Sequence, residues 1–573
     1  MREPADSFEL VGQQKTGIYS DPHSAKKATV PLNALLAYGS WLLAGQGKPQ
    51  LLSFARRWRS RADGLMAKAK SQRQDPPFLR TVRRVFVTNL ALVLVLNLLV
   101  KPFYILGIDA AVQGRAGTEA YGGYAALLSL SFLLNILLDV GITNWNTRHV
   151  AQNTGTMRAQ FNGVIVVRAL LVVLYAVVMF VAAVVLGYRG GELELLAVLV
   201  LNQALVASIL YLRSNIAGAQ KFAQDSLLSV LDRVLLIGIC AWLLWGRGQD
   251  APFPIIWFAY AQTAAYAITA LVALSVVVKH VGFPRPSWDA VFIRNVLRQC
   301  APYALLVLLM TFYYRTDTVM LERLLPDGKL HAGIYAQGFR FFEAFNMLGF
   351  LLAGLLLPMF SRMLTPSGSA GGGGRSTQDI APLTGLALRL VIAGTVAVAV
   401  IGSFYAKPVM DLRYHEHTMD SAPAFAVLIW SFVAVCVTYV FGTLLTASGD
   451  LRTLNRMAAG GMVLNIVLNL VFIPRYQAVG AAWAGLITQG LMAIAQAVIA
   501  ARRFHLRPSP RQVGAVIGYI GALIALAWLA KARDLSLPLA AVVLSIAALG
   551  LAAVAGLLPL SGLRSLLVER KTY

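Results

Sequence analysis

The chain has 573 residues, of which 58% are hydrophobic and only 13% are charged, and its mean hydropathy is +0.66. A soluble protein of this length could not bury so much apolar surface, so the composition excludes the soluble classes and favours a polytopic membrane protein. The net charge of +24 does not indicate nucleic-acid binding, because the basic residues concentrate in the amino-terminal tail and in short loops between apolar runs.

The amino-terminal region differs from the rest of the chain. Its first 29 residues are polar and lack the apolar core of a signal peptide. The stretch RRWRSRADGLMAKAKSQR at 56–73 is strongly basic. We predict that residues 1–84 form a basic cytoplasmic tail that sets the topology of the first helix. The alternative is an interfacial helix that touches anionic lipid headgroups.

Apolar runs of about 20 residues, enough to cross a bilayer, recur along the rest of the chain with short loops between them. They predict an all-α polytopic membrane protein with about fourteen transmembrane helices, near 85–107, 121–143, 161–187, 193–213, 226–246, 253–279, 296–321, 333–361, 384–406, 422–446, 456–474, 478–500, 512–531 and 536–559. Alternate loops carry about twice as many Lys and Arg residues as the loops between them, which places both termini in the cytoplasm.

A weak internal repeat relates two of these helices. The segments GGYAALLSLSFLLN (122–135) and GIYAQGFRFFEAFN (333–346) share Gly, Tyr, Ala and Asn at one constant offset. The second helix then corresponds to the eighth, so the repeat unit is six helices. An even unit gives parallel repeats about an axis along the membrane normal, which suits alternating access with a substrate site between the halves.

The repeat and the longer loop at 279–298 together predict the domain organisation. We expect an N-lobe at 85–280 and a C-lobe at 281–505, each of six helices. Two extra helices and a short cytoplasmic tail follow at 506–573.

The stretch YYRTDTVMLERL (313–324) places Arg315 and Asp317 inside the apolar region of the seventh helix. A charge at that depth costs about 2.5–3.5 kcal/mol, and residues two apart on a helix point in nearly opposite directions, so these two cannot pair well. The next helix carries Arg340 and Glu343 on one face, and in a helical hairpin Arg315 and Arg340 fall at about the same depth. These charges form either a salt-bridge network between helices or a cationic cavity wall that receives an anion.

Other predicted spans carry polar residues as well. In the first half the charged ones are Lys101, Asp139, Arg168, Asp232 and Arg233. Each of them either faces a cavity or is satisfied locally, for example by extending to the inner headgroups. Three amides can hydrogen-bond either to a substrate or between helices: Asn135, Gln337 and Asn346.

The motifs of several enzyme classes are missing from the sequence. It has no G-x-x-x-x-G-K-[ST] phosphate loop, no H-E-x-x-H or G-x-S-x-G, and no His/Cys cluster with zinc spacing. Its three cysteines lie far apart in apolar runs. We therefore predict no catalytic residues, no metal and no cofactor, and a transporter in place of an enzyme.

Three segments resemble a known family. YGGYAALLSLSFLLNILLDVGITNWNTRHVAQN (121–153) is similar to the second helix of bacterial polysaccharide flippases, and YYRTDTVML with AGIYAQGFRFFEAFNMLGFLLAGLLLPMFSRML (332–364) is similar to their seventh and eighth helices. LLTASGDLRTLNRMAAGGMVLNIVLNLVFIPRYQAVGAAWAGLITQ (444–489) resembles helices 10 to 12. The family is the Wzx-type oligosaccharide flippases of the multidrug/oligosaccharidyl-lipid/polysaccharide exporter (MOP) superfamily, and the resemblance covers roughly 85–510.

This resemblance implies two six-helix lobes around a central cavity, plus two carboxy-terminal helices. It implies transfer of an undecaprenyl-pyrophosphate-linked oligosaccharide between the leaflets of the bacterial cytoplasmic membrane, for capsule, exopolysaccharide or O-antigen assembly. Cationic cavity residues would bind the pyrophosphate, a role that passes by position to Arg315 and Arg340 and then to Lys101, Arg168 and Arg233. The expected charge-balancing or coupling carboxylates are Asp317, Glu343, Asp139 and Asp232.

The expected partners are the lipid-linked oligosaccharide, membrane lipids and other polysaccharide assembly proteins, without nucleic acid. A proton or sodium gradient or the membrane potential would drive the return step. Three alternatives stay open at this point: a multidrug antiporter of the same superfamily that exports organic cations, a lipid II flippase, and a polytopic sugar-lipid enzyme such as a polysaccharide polymerase. The antiporter predicts a cavity dominated by carboxylates, and the enzyme predicts a catalytic constellation on an outer loop.

Overall fold

The computed structural model describes residues 98–152, 157–246, 253–283, 285, 287–364, 380–506 and 509–558. The chain divides into two compact units, residues 1–85 and residues 86–573. The first unit, which includes the predicted basic tail, and residues 86–97 of the first predicted helix lie outside the described residues. All the described residues belong to the second unit.

The described part of this unit is helical throughout and contains no strand. After a π-helix at Tyr104–Asp109, its α-helices are α1 Ala110–Ala116, α2 Thr118–Leu133, α3 Ile136–Asp139, α4 Ile142–Gln152, α5 Met157–Val185, α6 Gly191–Gly218, α7 Phe222–Trp245, α8 Ile255–Val281, α9 Ala290–Leu324, α10 Gly328–Leu364, α11 Ile380–Phe404, α12 Ala406–Asp411, α13 Thr418–Ala447, α14 Leu451–Arg503, α15 Pro510–Ala532 and α16 Leu537–Val554. Among the described residues, 11 helices are long and apolar enough to cross a membrane. The all-α membrane fold is therefore confirmed.

Helix α14 consists of two helices that form a hairpin, and it is not one long transmembrane helix. Its backbone reverses at Gln477, where φ is 52° and ψ is −130°. The turn is tight, because a Cβ added to Gly480 would lie only 2.3 Å from the carbonyl oxygen of Phe472. The two arms correspond to the predicted helices 456–474 and 478–500.

The second predicted helix, 121–143, is not continuous, so that prediction was wrong in detail. Helix α2 ends at Leu133, and the chain then forms a short helix and a left-handed turn at Val140 and Gly141, with φ of 48° and 86°. The carboxylate of Asp139 accepts a hydrogen bond from the backbone nitrogen of Thr143 (3.2 Å) and begins α4. This local bond stabilises a break that hydropathy alone does not reveal.

The apolar side chains form separate cores for two lobes. The first core runs from Tyr104 to Ala265 and contains only two side chains from beyond that range, Val319 and Ala336. The second core runs from Leu321 to Ala500. A further cluster packs α15 and α16 against α11 and α13, so the last two helices are an addition to the second lobe. We call the described residues from 98 to the end of α8 the first lobe, and α9 to α14 the second lobe.

The two lobes touch closely where α2 meets α10. A Cβ added to Gly122 would lie 1.8 Å from the carbonyl oxygen of Lys329, and one added to Gly333 would lie 2.0 Å from that of Thr118. Gly122 and Gly333 are equivalent positions of the internal repeat. Equivalent residues meet one another only near a two-fold axis, so this contact supports a two-fold relation between the repeats.

Substitution of these glycines tests the contact between the lobes. We expect Gly122→Ala and Gly333→Ala each to destabilise the protein by about 1–3 kcal/mol, because backbone atoms block the new methyl group. Gly123→Ala is the matched control, since its Cβ meets nothing nearer than the flexible Lys329 side chain at 3.6 Å. Thermal unfolding of the purified protein in detergent measures the difference, and equal melting of Gly122→Ala and Gly123→Ala would contradict the close packing.

Candidate functional site

A cavity of about 650 Å³ lies between the two lobes. Both lobes contribute to its wall, from the π-helix, α2, α6, α7 and α8 on one side and from α9, α10, α13 and α14 on the other. Its charged lining residues are Lys101, Asp109, Arg233, Arg315, Arg340 and Glu343. Four cations against two carboxylates make the described wall net positive.

The second lobe places Arg315 and Arg340 on one carboxylate. Arg315 Nη2 and Arg340 Nη1 each lie 2.5 Å from an oxygen of Glu343. Arg340 and Glu343 are three residues apart on α10 and therefore share a face. Arg315 also stacks over the rings of Phe132 and Phe339, at 4.7 and 5.3 Å from their centres. Both arginines can reach Glu343 because they lie at about the same depth, as the sequence predicts.

Arg340 also reaches across to the first lobe. Its Nε lies 2.7 Å from Asp109 Oδ2 and donates to the hydroxyl of Tyr121 at 2.9 Å. The Tyr121 hydroxyl in turn donates a hydrogen bond to Asp109 Oδ2 at 2.9 Å. Asp109 is 2% exposed, and it was missed by the sequence analysis because it lies beyond the predicted end of the first helix. The π-helix at Tyr104–Asp109 extends the helical segment beyond residue 107 and ends at Asp109.

The cations of the first lobe have fewer partners. Lys101 Nζ has no hydrogen bond or ion pair among the residues that the structure describes. Arg233 Nε lies 3.6 Å from its neighbour Asp232, and its Nη1 donates to the Tyr266 hydroxyl at 3.1 Å. The Arg233 guanidinium also lies 4.8 Å from the centre of the Tyr104 ring. Asp232 thus balances Arg233 from outside the lining residues.

Arg168 and Asp139 lie apart from this cavity. Arg168 Nη1 pairs with Asp139 Oδ1 at 3.0 Å, and its guanidinium lies 5.0 Å from the centre of the Tyr211 ring. Arg168 is only 6% exposed, so it does not extend to the headgroups, and neither residue is among those that line the cavity. Their pair joins the end of α3 to α5 within the first lobe.

Asp317 is also removed from the cavity wall. Its carboxylate accepts hydrogen bonds from the side chains of Asn465 (3.0 Å), Asn469 (2.7 Å) and Tyr335 (3.0 Å). It is 4% exposed and ties α9 to α10 and to the first arm of α14. Two of the donors, Asn465 and Asn469, are more than 140 positions from Asp317 in the sequence. The sequence analysis could not identify them as partners for this reason.

The three predicted amides have different positions. Asn346 lines the cavity and donates to the Tyr314 hydroxyl at 2.7 Å. Asn135 donates to Gln203 at 3.0 Å and lies behind that lining residue. Gln337 donates to the backbone oxygen of Glu416 at 3.0 Å, outside the cavity. Of these three amides, only Asn346 lines the cavity.

One end of the cavity is closed by contacts between the lobes, which we call the seal. It includes an ion pair between Lys329 and Glu192 (2.8 Å), a hydrogen bond from Thr118 Oγ1 to Glu416 (3.0 Å), and one from Gln113 to the carbonyl of Gly333 (2.9 Å). The Arg413 guanidinium donates to the carbonyl oxygens of Leu106 and Gly107 in the π-helix. All these contacts lie at the end of the α9–α10 turn, so the cavity does not open there.

Several lining residues carry no signal in the sequence. They are uncharged aromatic or amide side chains that look like ordinary helix residues: Tyr104, Tyr124, Tyr266, Tyr439, Asn202, Gln203, Gln262 and Gln489. The sequence alone does not show that these side chains face the cavity, because the inward side of each helix depends on how all the helices pack together. Within the described ranges, no group of three or more His, Cys, Asp or Glu residues is placed to hold a metal ion.

The fold is similar to that of several solved membrane transporters. An inward-facing multidrug transporter of the MATE family and of that superfamily has 15% identity and a TM-score of 0.55, over 70% of this chain and 94% of its own. The lipid II flippase MurJ, in an inward closed conformation, has 12% identity and a TM-score of 0.62, over 81% of this chain and 97% of its own. A MOP superfamily transporter from Pyrococcus furiosus, described as having a binding pocket of reverse polarity and a different function, has 16% identity and a TM-score of 0.50, over 72% and 96%.

The family comparison is more specific. Residues 112–364 match the model of a family described as polysaccharide biosynthesis protein. The matched segment runs from within α1 to the end of α10 and so includes part of the seal together with Arg315, Arg340 and Glu343. This match and the shared fold agree with the resemblance to polysaccharide flippases that the sequence shows. A comparison with curated proteins gives no match.

Asp317→Asn tests whether this residue is structural. The new amide would point an N–H group at the side chains that now donate to Asp317, and we expect a loss of about 1–3 kcal/mol in the free energy of unfolding. Asp420→Asn is the control, because the Asp420 side chain is 62% exposed. Thermal unfolding in detergent should show a lower melting temperature for Asp317→Asn alone, and identical melting of both variants would contradict the assignment.

Proposed function

We propose that the chain is a flippase that carries undecaprenyl-pyrophosphate-linked oligosaccharide from the inner to the outer leaflet of the bacterial cytoplasmic membrane. The observation that supports this most strongly is the net positive cavity between the lobes, with Lys101 unpaired among the described residues. Lys101 is partly buried in the cavity wall, and an unpaired charge that has lost part of its hydration is unfavourable. An anionic ligand in the cavity recovers that cost, which gives the unpaired cation a function.

The arrangement of cations suits a pyrophosphate group. Arginine's planar fork binds phosphate oxygens in pairs, and lysine serves as a compact point charge. Lys101 and Arg233 on the first lobe face Arg315 and Arg340 on the second. A pyrophosphate between them contacts both lobes, and the carboxylates Asp109 and Glu343 offset only part of the positive charge of the empty cavity.

The polarity of the cavity argues against export of organic cations. A cation exporter needs a wall dominated by carboxylates, whereas the described wall here has more cations. For the transporter from Pyrococcus furiosus, the reverse polarity of the binding pocket is likewise taken to suggest a different function. Lipid II also carries a pyrophosphate, so charge does not separate it from a polysaccharide precursor. The match to the polysaccharide biosynthesis family favours the polysaccharide precursor.

The transport step follows from the seal. With the more basic loops in the cytoplasm, the α9–α10 turn is periplasmic and the structure is closed to the outside. A phosphate that binds Arg340 competes with Asp109 on the other lobe, whose oxygen lies 2.7 Å from Arg340 Nε. Substrate binding therefore weakens one of the links that keep the lobes together at that end, and the cavity opens outward.

Removal of the first-lobe cations tests the proposal. We expect Lys101→Ala and Arg233→Ala each to weaken binding of farnesyl pyrophosphate to the purified protein about tenfold to a hundredfold, because a hydrogen bond to a charged group contributes about 1.5–3 kcal/mol. Lys407→Ala is the control, since Lys407 is half-exposed and pairs with Asp411 outside the cavity. Unchanged affinity in both cavity variants would contradict an anion site at this position.

Variants of the cavity cations also test the function in cells. The wild-type gene should restore surface polysaccharide to a flippase-deleted bacterium with a matching glycan, and Lys101→Ala, Arg315→Ala and Arg340→Ala should not, at equal levels in the membrane. Restoration by all three variants would make these cations structural.

The driving force of the return step is a further part of the proposal. A proton or sodium gradient or the membrane potential resets the empty cavity, and the candidate coupling groups are Glu343 on the cavity wall and the buried Asp317 behind it. In proteoliposomes with one gradient imposed at a time, we expect translocation of a fluorescent lipid pyrophosphate to depend on one of them. Loss of that dependence in Glu343→Gln or in Asp317→Asn identifies the responsible group, and a rate that no gradient or potential changes would contradict coupling.

A further inference from the structure

The charge of the cavity wall is confined to one region. On α10 the last charged lining residue is Glu343, and Asn346 follows one helical turn further from the seal. Beyond that point the described second-lobe wall is uncharged, and its members are Met310, Thr311, Tyr313, Tyr314, Asn346, Met347, Phe350, Val435, Thr438, Tyr439 and Gln489. We call this surface the neutral wall. A phosphate group has no cation to bind there.

The neutral wall contains polar groups without partners. The side-chain oxygens of Asn346 and Thr438 are buried and accept or donate no hydrogen bond in the part of the chain that the structure describes. The amide of Gln489 likewise has no hydrogen bond among described residues, although Gln489 is only 5% exposed. An unsatisfied buried polar group costs about 1–3 kcal/mol. These groups leave open hydrogen-bonding capacity on one wall of the cavity, with the Gln489 amide as its accessible member, and they point to a ligand with hydroxyl or amide groups.

Aromatic rings surround these polar groups. Asn346 Nδ2 donates to the hydroxyls of Tyr314 (2.7 Å) and Tyr439 (3.4 Å), which fixes the amide between two rings. The ring of Phe350 meets Tyr439 edge to face, with centres 6.5 Å apart. Apolar ring faces beside a few placed hydrogen-bonding groups are suited to a ligand with both C–H and O–H surfaces. A sugar ring has that combination.

The amides on the opposite wall are different, because they are already bonded to one another. Asn202 donates to Gln262 (3.4 Å), and Gln262 donates to the Tyr124 hydroxyl (2.7 Å). Gln203 donates to Ser131 at 3.3 Å and accepts from Asn135. These bonds hold the helices of the first lobe together. The open hydrogen-bonding capacity of the cavity is therefore on the neutral wall.

We propose that the neutral wall is a glycan subsite that binds the sugar residue attached directly to the pyrophosphate. This inference rests on the proposed function, because it takes the pyrophosphate to lie among the cations. Three residues along a helix correspond to about 4.5 Å, so Asn346 lies about one sugar ring further along the wall than Glu343. Asn346, Thr438 and Gln489 bind the hydroxyl or acetamido groups, and the rings of Tyr314 and Tyr439 cover the apolar face.

Paired lipid pyrophosphates test the subsite. The probes are farnesyl pyrophosphate without sugar and three farnesyl pyrophosphates that carry one hexose, one N-acetylhexosamine or one 6-deoxyhexose. We expect at least one sugar-bearing probe to bind the purified wild-type protein about tenfold more tightly than the sugarless probe, which corresponds to about 1.4 kcal/mol. Thr438→Val and Gln489→Leu should each remove most of that gain and leave the affinity for the sugarless probe unchanged.

The control is Thr446→Val, because Thr446 lies on the same helix as Thr438, bonds its own backbone and does not line the cavity. It should keep the full gain, and melting curves confirm that each variant is folded. Equal affinities for all four probes, or a gain that survives both variants, would overturn the subsite alone. Failure of the sugarless probe to bind the wild-type protein would overturn the proposed function, and the subsite with it.

Discussion

Arg340 is the side chain on which the arrangement of the two lobes most depends. A guanidinium buried at membrane depth is stable only if fixed partners surround it. Arg340 is 9% exposed and takes its partners from both lobes, with Glu343 on its own helix and Asp109 and Tyr121 across the interface. The same residue therefore links the two lobes, lines the cavity and offers a cation to a ligand.

The four cavity cations are not equivalent. Those of the second lobe share Glu343 and form part of a network, whereas those of the first lobe have weak partners or, for Lys101, none among the described residues. A network resists the loss of any one member, and an unpaired charge is free to bind a ligand. The sequence analysis gave priority to Arg315 and Arg340, and the geometry shifts the emphasis to Lys101 and Arg233.

The internal repeat gives the lobes a common scaffold with different chemistry. Gly122 and Gly333 have the same role, since each allows the other lobe's backbone to approach. Asn135 and Asn346 are also equivalent in the repeat, but the first bonds Gln203 inside its lobe and the second faces the cavity between two tyrosines. This asymmetry separates a cationic wall from a neutral one, as a ligand with a charged and an uncharged part requires.

The sequence by itself determined the membrane class, the all-α fold, the approximate helices and the presence of charges at membrane depth, because hydropathy and helical periodicity are local properties. It also placed Arg315, Arg340 and Glu343 together, since a hairpin of adjacent helices sets their depths. Only the tertiary structure decided which charges face the cavity. Arg168, Asp139 and Asp317 proved to be satisfied within a lobe, and Asp109 and Gln489 proved to line the cavity. Their partners are distant in sequence, and the side of a helix that faces the other lobe depends on how all the helices pack.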